Sequence, residues 1–148
     1  MPNLENWLVA TDVLLLSAQL VDAVQEGVAR RGFAGIRPAH GFAFARISRG
    51  DATTADVAEY LGVTKQAAAQ LVHQLEARGY VTRQAHPADG RAALLALTES
   101  GAACTRAAEE AAGEAVEGWR TTLGEPQFRQ LQRALRAVVR PGPLRPSW

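Results

Sequence analysis

Cysteine is almost absent from this sequence, and that absence disfavours several classes of protein. Cys104 is the only cysteine in the 148 residues, so no disulfide can form within one chain. A chain without disulfides suits a reducing compartment, and we expect a cytoplasmic protein. The three histidines, His40, His73 and His86, are widely spaced and lack neighbouring ligand residues. No metal site is therefore expected, because metal ligands usually cluster.

Membrane, secretion and catalytic patterns are also scarce. No run is expected to reach the roughly 18 apolar residues of a membrane span. The first residues, MPNLENWLVATD, lack the basic segment of a secretory signal. No nucleophile–base pair, glycine-rich phosphate loop or pair of carboxylates stands out, so we expect neither an enzyme nor a cofactor.

Charge is small in total but unevenly distributed. The formal net charge is +1. Residues 1–29 carry four acidic residues and no lysine or arginine, residues 30–98 carry nine basic against five acidic residues, and residues 99–119 carry five glutamates and one arginine. A basic middle segment suits a surface that faces phosphate. For the acidic flanks, ordinary solvated faces are the alternative interpretation.

Apolar spacing and turn residues predict a mainly α-helical chain with a small β hairpin. The predicted helices cover residues 4–30, 38–48, 53–62, 64–78, 99–123 and 126–139, and the predicted strands cover residues 80–84 and 92–97. Two short helices that meet at Gly62 and are followed by a hairpin indicate a winged helix-turn-helix. The small Ala58 lets the two helices cross closely, and Val63 is expected to fill the core between them. This arrangement places the second helix in a DNA major groove.

The predicted recognition helix has a polar face opposite its apolar stripe. We expect that face, with its capping residue, to bind DNA through Thr64, Lys65, Gln66, Ala69, Gln70 and His73. Glutamine can pair with adenine, lysine can reach guanine or phosphate, and alanine can touch a thymine methyl. A solvated helix face is the alternative interpretation.

The hairpin tip, AHPADG followed by Arg91, predicts a second contact with DNA. A guanidinium at the tip can enter a narrow minor groove, where the negative potential is greatest. Asp89 would orient Arg91 through a charge-assisted hydrogen bond. The alternative is an exposed surface turn whose ion pair contributes little.

Four segments, LGVTKQA at 61–67, LEARGYV at 75–81, PADGR at 87–91 and LTESG at 97–101, resemble the MarR family of winged-helix transcriptional regulators. The resemblance implies an obligate homodimer in which the first, fifth and sixth helices interlock. It also implies that Lys65, Gln66 and Gln70 read the major groove and Arg91 the minor groove. Ala69 departs from the pattern, since many relatives have serine there, and this leaves the operator sequence open.

The apolar stripes of the flanking helices predict a dimer independently, because one small winged helix does not need them to cover its core. We expect residues 1–31 and 99–140 to form the helical dimerisation region, residues 37–98 the DNA-binding domain, and residues 141–148 a tail. The interface is expected to contain Leu8, Leu15, Trp119, Phe128, Leu131 and Leu135.

These features predict a ligand-responsive repressor that acts on a palindromic operator. A small organic effector, with aromatic acids as the first compounds to test, is expected between the dimerisation helices and the winged domain. Trp7, His40, Phe42 and Phe44 are candidates for lining its pocket, with plain core packing as the alternative. Cys104 is expected to be a buried, inert thiol and not a redox sensor. A non-specific architectural DNA binder and a winged-helix protein-interaction module are the alternative functions.

Overall fold

The computed structural model describes residues 1, 3–88, 90 and 92–143. Its described elements are six helices and two strands, in the order α1 (Leu4–Arg30), α2 (Pro38–Ile47), α3 (Thr54–Leu61), α4 (Lys65–Ala77), β1 (Val81–Ala85), β2 (Ala93–Leu97), α5 (Glu99–Leu123) and α6 (Glu125–Val138). The predicted fold class, mainly α with a small β wing, is confirmed.

Local sequence signals set the helix boundaries. Thr53 and Asp56 form the expected capping box at the start of α3, with the Thr53 amide donating to the Asp56 carboxylate over 2.8 Å. The hydroxyl of Thr98 accepts from the amide of Gly101 at the start of α5 over 3.1 Å. Gly62 ends α3 in the left-handed conformation, with φ of 70°, which a residue without Cβ adopts at little cost.

The wing is an antiparallel hairpin in which Val81 pairs with Leu97 and Ala85 with Ala93. The first strand begins one residue later than predicted. The amide of Tyr80 is not available to the ladder because it donates to the carbonyl of Leu75 over 2.9 Å and closes the end of α4. A single bridge between Ala52 and Leu95 joins the α2–α3 connection to the hairpin.

The core of the winged domain lies where α2, α3, α4 and the hairpin meet. Phe44, Val57, Val72 and Leu75 are essentially inaccessible there. Val63 was wrongly predicted to fill this core, since it is 44% exposed. The turn after Gly62 turns Val63 outward, and Leu61 is buried in the core at this end of α3.

The fifth helix packs closely against the base of the wing and against α1, and in both places a glycine allows the close approach. A Cβ at Gly101 would collide with the carbonyl oxygen of Tyr80, and a Cβ at Gly27 would collide with Ala111. These two contacts hold α5 against the base of the wing and against the C-terminal half of α1. Arg31 reinforces the second contact because its guanidinium pairs with Glu110 and Glu114 of α5.

The N-terminal half of α1 projects beyond the core. Eight large hydrophobic residues within residues 4–16 are exposed: Leu4, Trp7, Leu8, Val9, Val13, Leu14, Leu15 and Leu16. By length and composition α1 could cross a membrane, with a mean hydropathy of 1.6 over its most apolar window, and the expectation that no segment reaches this level was wrong. The clustered leucines and valines keep the mean hydropathy of α1 high although the helix also contains Asp12 and Asp22. Core helices of soluble proteins and N-terminal signal sequences pass the same test, so the observation is weak evidence for a span.

Candidate nucleic-acid interface

The recognition helix α4 turns one face inward and the other to solvent. Ala68, Val72 and Leu75 are buried against the core, three and four residues apart. All of the major-groove residues expected from the sequence are exposed, namely Thr64, Lys65, Gln66, Ala69, Gln70 and His73. The structure therefore brings these six side chains to one continuous surface.

The start of α4 suits contact with a phosphate backbone. The Thr64 hydroxyl accepts from the Ala67 amide over 3.1 Å, and the first turn contains no acidic residue. The helix dipole concentrates partial positive charge at this end, and Lys65 adds a full charge. Small exposed residues, Ala67 and Ala69, let the backbone approach a groove floor.

An ion pair connects the wing to the recognition helix. Arg83 of β1 donates to Glu76 of α4 over 2.6 Å, so hairpin and helix are held together by an ion pair. His86 and Pro87 mark the start of the tip. Asp89 and Arg91, expected to orient and to make the minor-groove contact, lie outside the described residues, and their roles stay sequence-based predictions.

Comparison with known proteins identifies this arrangement. A family model described as the MarR family matches residues 34–92, a stretch that runs from just before α2 through the helix-turn-helix and β1 and ends before β2 of the wing. The match covers 59 of the 148 residues and includes three of the four segments that carry the resemblance, 61–67, 75–81 and 87–91. The predicted resemblance to the MarR family is confirmed. No curated protein sequence matches the chain.

Solved structures share the whole fold. A transcriptional regulator from Thermotoga maritima is 27% identical, with 86% of this chain and 89% of that chain covered and a TM-score of 0.66. A MarR-family protein of Mycobacterium tuberculosis, solved in complex with salicylic acid, is 25% identical over 86% of this chain and 93% of that one, with a TM-score of 0.65. A cysteine-to-serine variant of Escherichia coli MarR with operator DNA is 19% identical, covers 94% of this chain and 100% of that one, and has a TM-score of 0.68.

These structural matches extend beyond residues 34–92, which the family model covers. The last comparison leaves 6% of this chain uncovered, whereas α1 is 27 of 148 residues, or about 18%. Most of α1 is thus part of the shared fold. The chain has the fold of a MarR-family transcriptional regulator.

A cavity of about 500 Å³ lies between α1, α2 and α5. Its wall is mainly apolar and includes Val21, Val24, Val28, Ile36, Phe42, Phe44 and Ala108. The polar lining residues are Ser17, Gln25, Thr105 and Glu109, with the thiol of Cys104. Gln25 also donates to the carbonyl of Ile36 over 2.8 Å, which ties α1 to the segment before α2.

Two of the four candidate pocket residues lie in this cavity. Phe42 and Phe44 line it, and Phe44 also stacks edge-on against Tyr80 at 5.7 Å between ring centroids, so it serves the core as well. Trp7 and His40 do not line it: Trp7 is 63% exposed near the start of α1, and His40 is buried nearer α4. Sequence reasoning missed Gln25, Thr105 and Glu109 because residues of distant helices meet only after folding.

His40 is the one buried polar residue in the described core. Its Nδ1 accepts from the Arg37 amide over 3.0 Å, so neutral His40 carries its proton on Nε2, which has no hydrogen-bond partner among the described residues. Burial lowers the pKa of His40, and the charges of Arg37 and Arg78 lower it further. Gln74 acts in the opposite direction on this pKa, although its amide does not reach Nε2 in hydrogen-bonding geometry.

Cys104 is 1% exposed and packs where α5 meets the winged domain. Burial raises the pKa of its thiol, and the positive charge of Arg78 opposes this effect without reversing it. The thiol therefore stays protonated at neutral pH, and a protonated thiol is a poor nucleophile.

The residues expected at a dimer interface fall into two groups. Leu8, Leu15 and Leu135 are exposed, whereas Trp119 and Leu131 are half-buried. Phe128 is only 8% exposed within one chain, where the Arg120 guanidinium lies over its ring at 4.1 Å. Its burial needs no second chain, so the exposed leucines make the stronger case for an interface.

Proposed function

We propose that this MarR-family protein is a ligand-responsive transcriptional repressor that binds, as a homodimer, a palindromic operator in double-stranded DNA. The observation that carries the proposal is the solvent-facing surface of α4, where six polar or small residues begin at a capped helix start. A helix so exposed beside a hairpin has the geometry that fits a major groove. No catalytic role is proposed for any of these residues.

In this proposal the contacts divide by chemistry. Lys65 and the first amides of α4 bind phosphate or guanine, while Gln66 and Gln70 read base edges. Ala69 and His73 lie along the same exposed face and contact the groove. Arg91 reaches the adjacent minor groove, with Asp89 as its orienting partner.

The dimer is supported by the apolar surface that one chain leaves uncovered. Monomeric proteins rarely expose contiguous apolar patches larger than a few hundred Å². Here the N-terminal half of α1 is exposed on all sides, and Leu135 and Val138 are exposed on α6. A two-fold arrangement of these helices covers both surfaces and sets two recognition helices at a fixed spacing.

Ligand response is supported by residues 34–36, which connect the cavity to the end of the recognition helix. Ile36 lines the cavity, and the neighbouring residues 34 and 35 accept hydrogen bonds from Arg78 at the end of α4. A ligand that binds one position of this segment better than another changes the placement of α4. Only such differential binding can shift the DNA-binding equilibrium.

The test is to select DNA fragments from a random pool with the purified protein. We expect a near-palindrome whose half-site centres lie about one helical turn apart, roughly 10 base pairs. Recovery of random duplex without a preferred site would contradict the proposal and support an architectural DNA binder. Failure to bind any duplex at low salt would instead support a protein-interaction module.

Two variants sharpen that selection. Gln70→Ala should change the preferred bases, because a base-reading side chain carries sequence information. Lys65→Ala should weaken binding to all DNA sequences alike. It should also lower the slope of log binding constant against log salt concentration by about one, the change expected for one lost phosphate contact. Gln132→Ala on exposed α6 is the matched control and should change neither property. An unaltered site for Gln70→Ala would show that Gln70 does not read bases.

A further inference from the structure

The cavity beside the MarR-family domain has an uneven charge. Glu109 is the only lining residue with a charged side chain at neutral pH, since the Cys104 thiol stays protonated. No lysine, arginine or histidine lines the cavity within the described ranges. The wall therefore provides one negative charge and no compensating positive charge.

The carboxylate of Glu109 is also unpaired within the described residues, in contrast to two neighbouring glutamates on α5. Glu110 and Glu114 both pair with Arg31, whereas Glu109 takes part in no ion pair or hydrogen bond of the described part of the chain. Gln25 uses its amide nitrogen on the carbonyl of Ile36, so its Oε1 remains available as an acceptor. The two groups offer acceptors to a ligand, not donors.

The arginines that flank the lining residues are directed elsewhere. Arg37, between Ile36 and Pro38, reaches Gln74 at 3.5 Å. Arg46, next to Ala45, donates to the carbonyl of Gly50 over 3.1 Å. Arg106, next to Thr105, is exposed and does not line the cavity. An anionic ligand would therefore lose its hydration without gaining a cationic partner, which is unfavourable.

We propose that this cavity binds an apolar organic cation, with Glu109 as its counter-ion, and discriminates against aromatic carboxylates. Phe42 and Phe44 supply aromatic surface for the apolar body of the ligand, and their rings favour positive charge. The inference rests on the proposed ligand response and specifies its ligand class. It replaces the aromatic acids expected from the sequence, and it differs from the salicylic acid bound to the Mycobacterium tuberculosis relative.

The experiment compares three ligands that share one ring system and differ in charge. Naphthoate, naphthol and naphthylmethyl-trimethylammonium are titrated into the full-length protein by calorimetry, without DNA. We expect the cation to bind about tenfold more tightly than the carboxylate, as one charge interaction at a partly solvated site allows. Equal or tighter binding of naphthoate would overturn the proposal, as would the absence of binding by all three.

Two glutamate variants locate the effect. Glu109→Gln keeps the side-chain size. It should lower the affinity for the cation about tenfold, leave the affinity for naphthol unchanged and raise the affinity for naphthoate. Glu110→Gln removes the neighbouring charge, which does not line the cavity, and should preserve the wild-type order. Circular dichroism confirms that both variants fold. An unchanged preference in Glu109→Gln would refute Glu109 as the counter-ion.

Operator binding is measured separately so that the two proposals can fail independently. If the cation binds with the expected selectivity but does not change affinity for the selected operator, the charge selectivity stands and the ligand response fails. If the protein binds no operator at all, the ligand titration still decides the charge preference of the cavity.

Discussion

Arg78 donates a hydrogen bond from Nη1 to the carbonyl oxygen of Gly35 over 3.0 Å, across 43 positions of sequence. The Nη2 of the same guanidinium donates to the carbonyl of Ala34 over 2.7 Å. Arg78 is the residue at which α4 ends, and Gly35 precedes the cavity residue Ile36. One side chain thus joins the end of the recognition helix to the wall of the cavity.

Arg78→Ala should destabilise the fold and weaken communication between cavity and DNA. The variant loses two charge-assisted hydrogen bonds and a cation–π contact with Tyr80, so we expect a loss of about 1–2 kcal/mol in the free energy of unfolding. Urea denaturation measures that loss. The ligand-dependent change in operator affinity should shrink at the same time.

Arg83→Ala is the control for that variant. Arg83 is also an exposed arginine, but it forms one ion pair with Glu76, for which about 0–1 kcal/mol is expected. Its removal should leave the ligand effect on DNA unchanged. Equal ligand effects in Arg78→Ala and in the wild type would exclude a role for the Arg78 contact in communication.

Leu135→Asp should convert the dimer into monomers or aggregates. Leu135 is 41% exposed on α6, and a carboxylate there would be desolvated in an interface between copies. Light scattering at micromolar concentration gives the mass. A wild-type mass of one chain would rule out the dimer.

Val63→Asp is the matched control for oligomeric state. Val63 is 44% exposed, close to the value for Leu135, but it lies in the turn between α3 and α4. A charge there should leave the dimer intact. If both aspartate variants dissociate, the effect is not specific to the helices of the proposed interface.

Stability should fall on acidification through His40. The folded-state pKa of His40 is lowered, chiefly by burial, from an ordinary value of 6.5. Below that value the unfolded chain binds a proton more readily than the folded one, so stability present above about pH 6.5 is lost as the pH falls toward the folded-state pKa. Melting temperatures between pH 7.5 and 5 should decline more steeply in the wild type than in His40→Gln.

His73→Gln provides the matched control, because it removes an exposed histidine and leaves the core unchanged. Asp56 does not interfere within this range. The backbone amide of Thr53 lowers the pKa of Asp56 from 3.8, so its contribution is lost only at a lower pH. Parallel slopes for the wild type and His40→Gln would show that His40 does not titrate on unfolding.

Peroxide should leave operator binding unchanged. The Cys104 thiol is inaccessible and its pKa is raised by burial, so little thiolate is available for oxidation. A mobility-shift series with peroxide should give the same result for the wild type and for Cys104→Ser. Release of DNA by peroxide in the wild type alone would make the protein a redox switch.

Much of the proposed DNA-binding surface could be predicted from the sequence because its signals are local. The Thr64 cap, the left-handed glycine at position 62 and the spacing of Ala68, Val72 and Leu75 all act within a few residues. They determine which face of α4 turns inward, and therefore that Gln66 and Gln70 are exposed. The start of β1 was misplaced by one residue because Tyr80 bonds back to the helix, a choice that apolar spacing does not reveal.

Residues distant in sequence form the remaining features, and only the tertiary structure decided them. The cavity combines Gln25, Phe42 and Glu109 from three helices, and no local pattern marks any of them as a lining residue. The buried position of His40 depends on its neighbours from other elements. The sequence by itself determined the helices, the wing and the exposed face of α4, because caps, turns and periodicity are short-range. Packing decided which charges face the cavity and which are paired elsewhere, because those contacts form only when the helices meet.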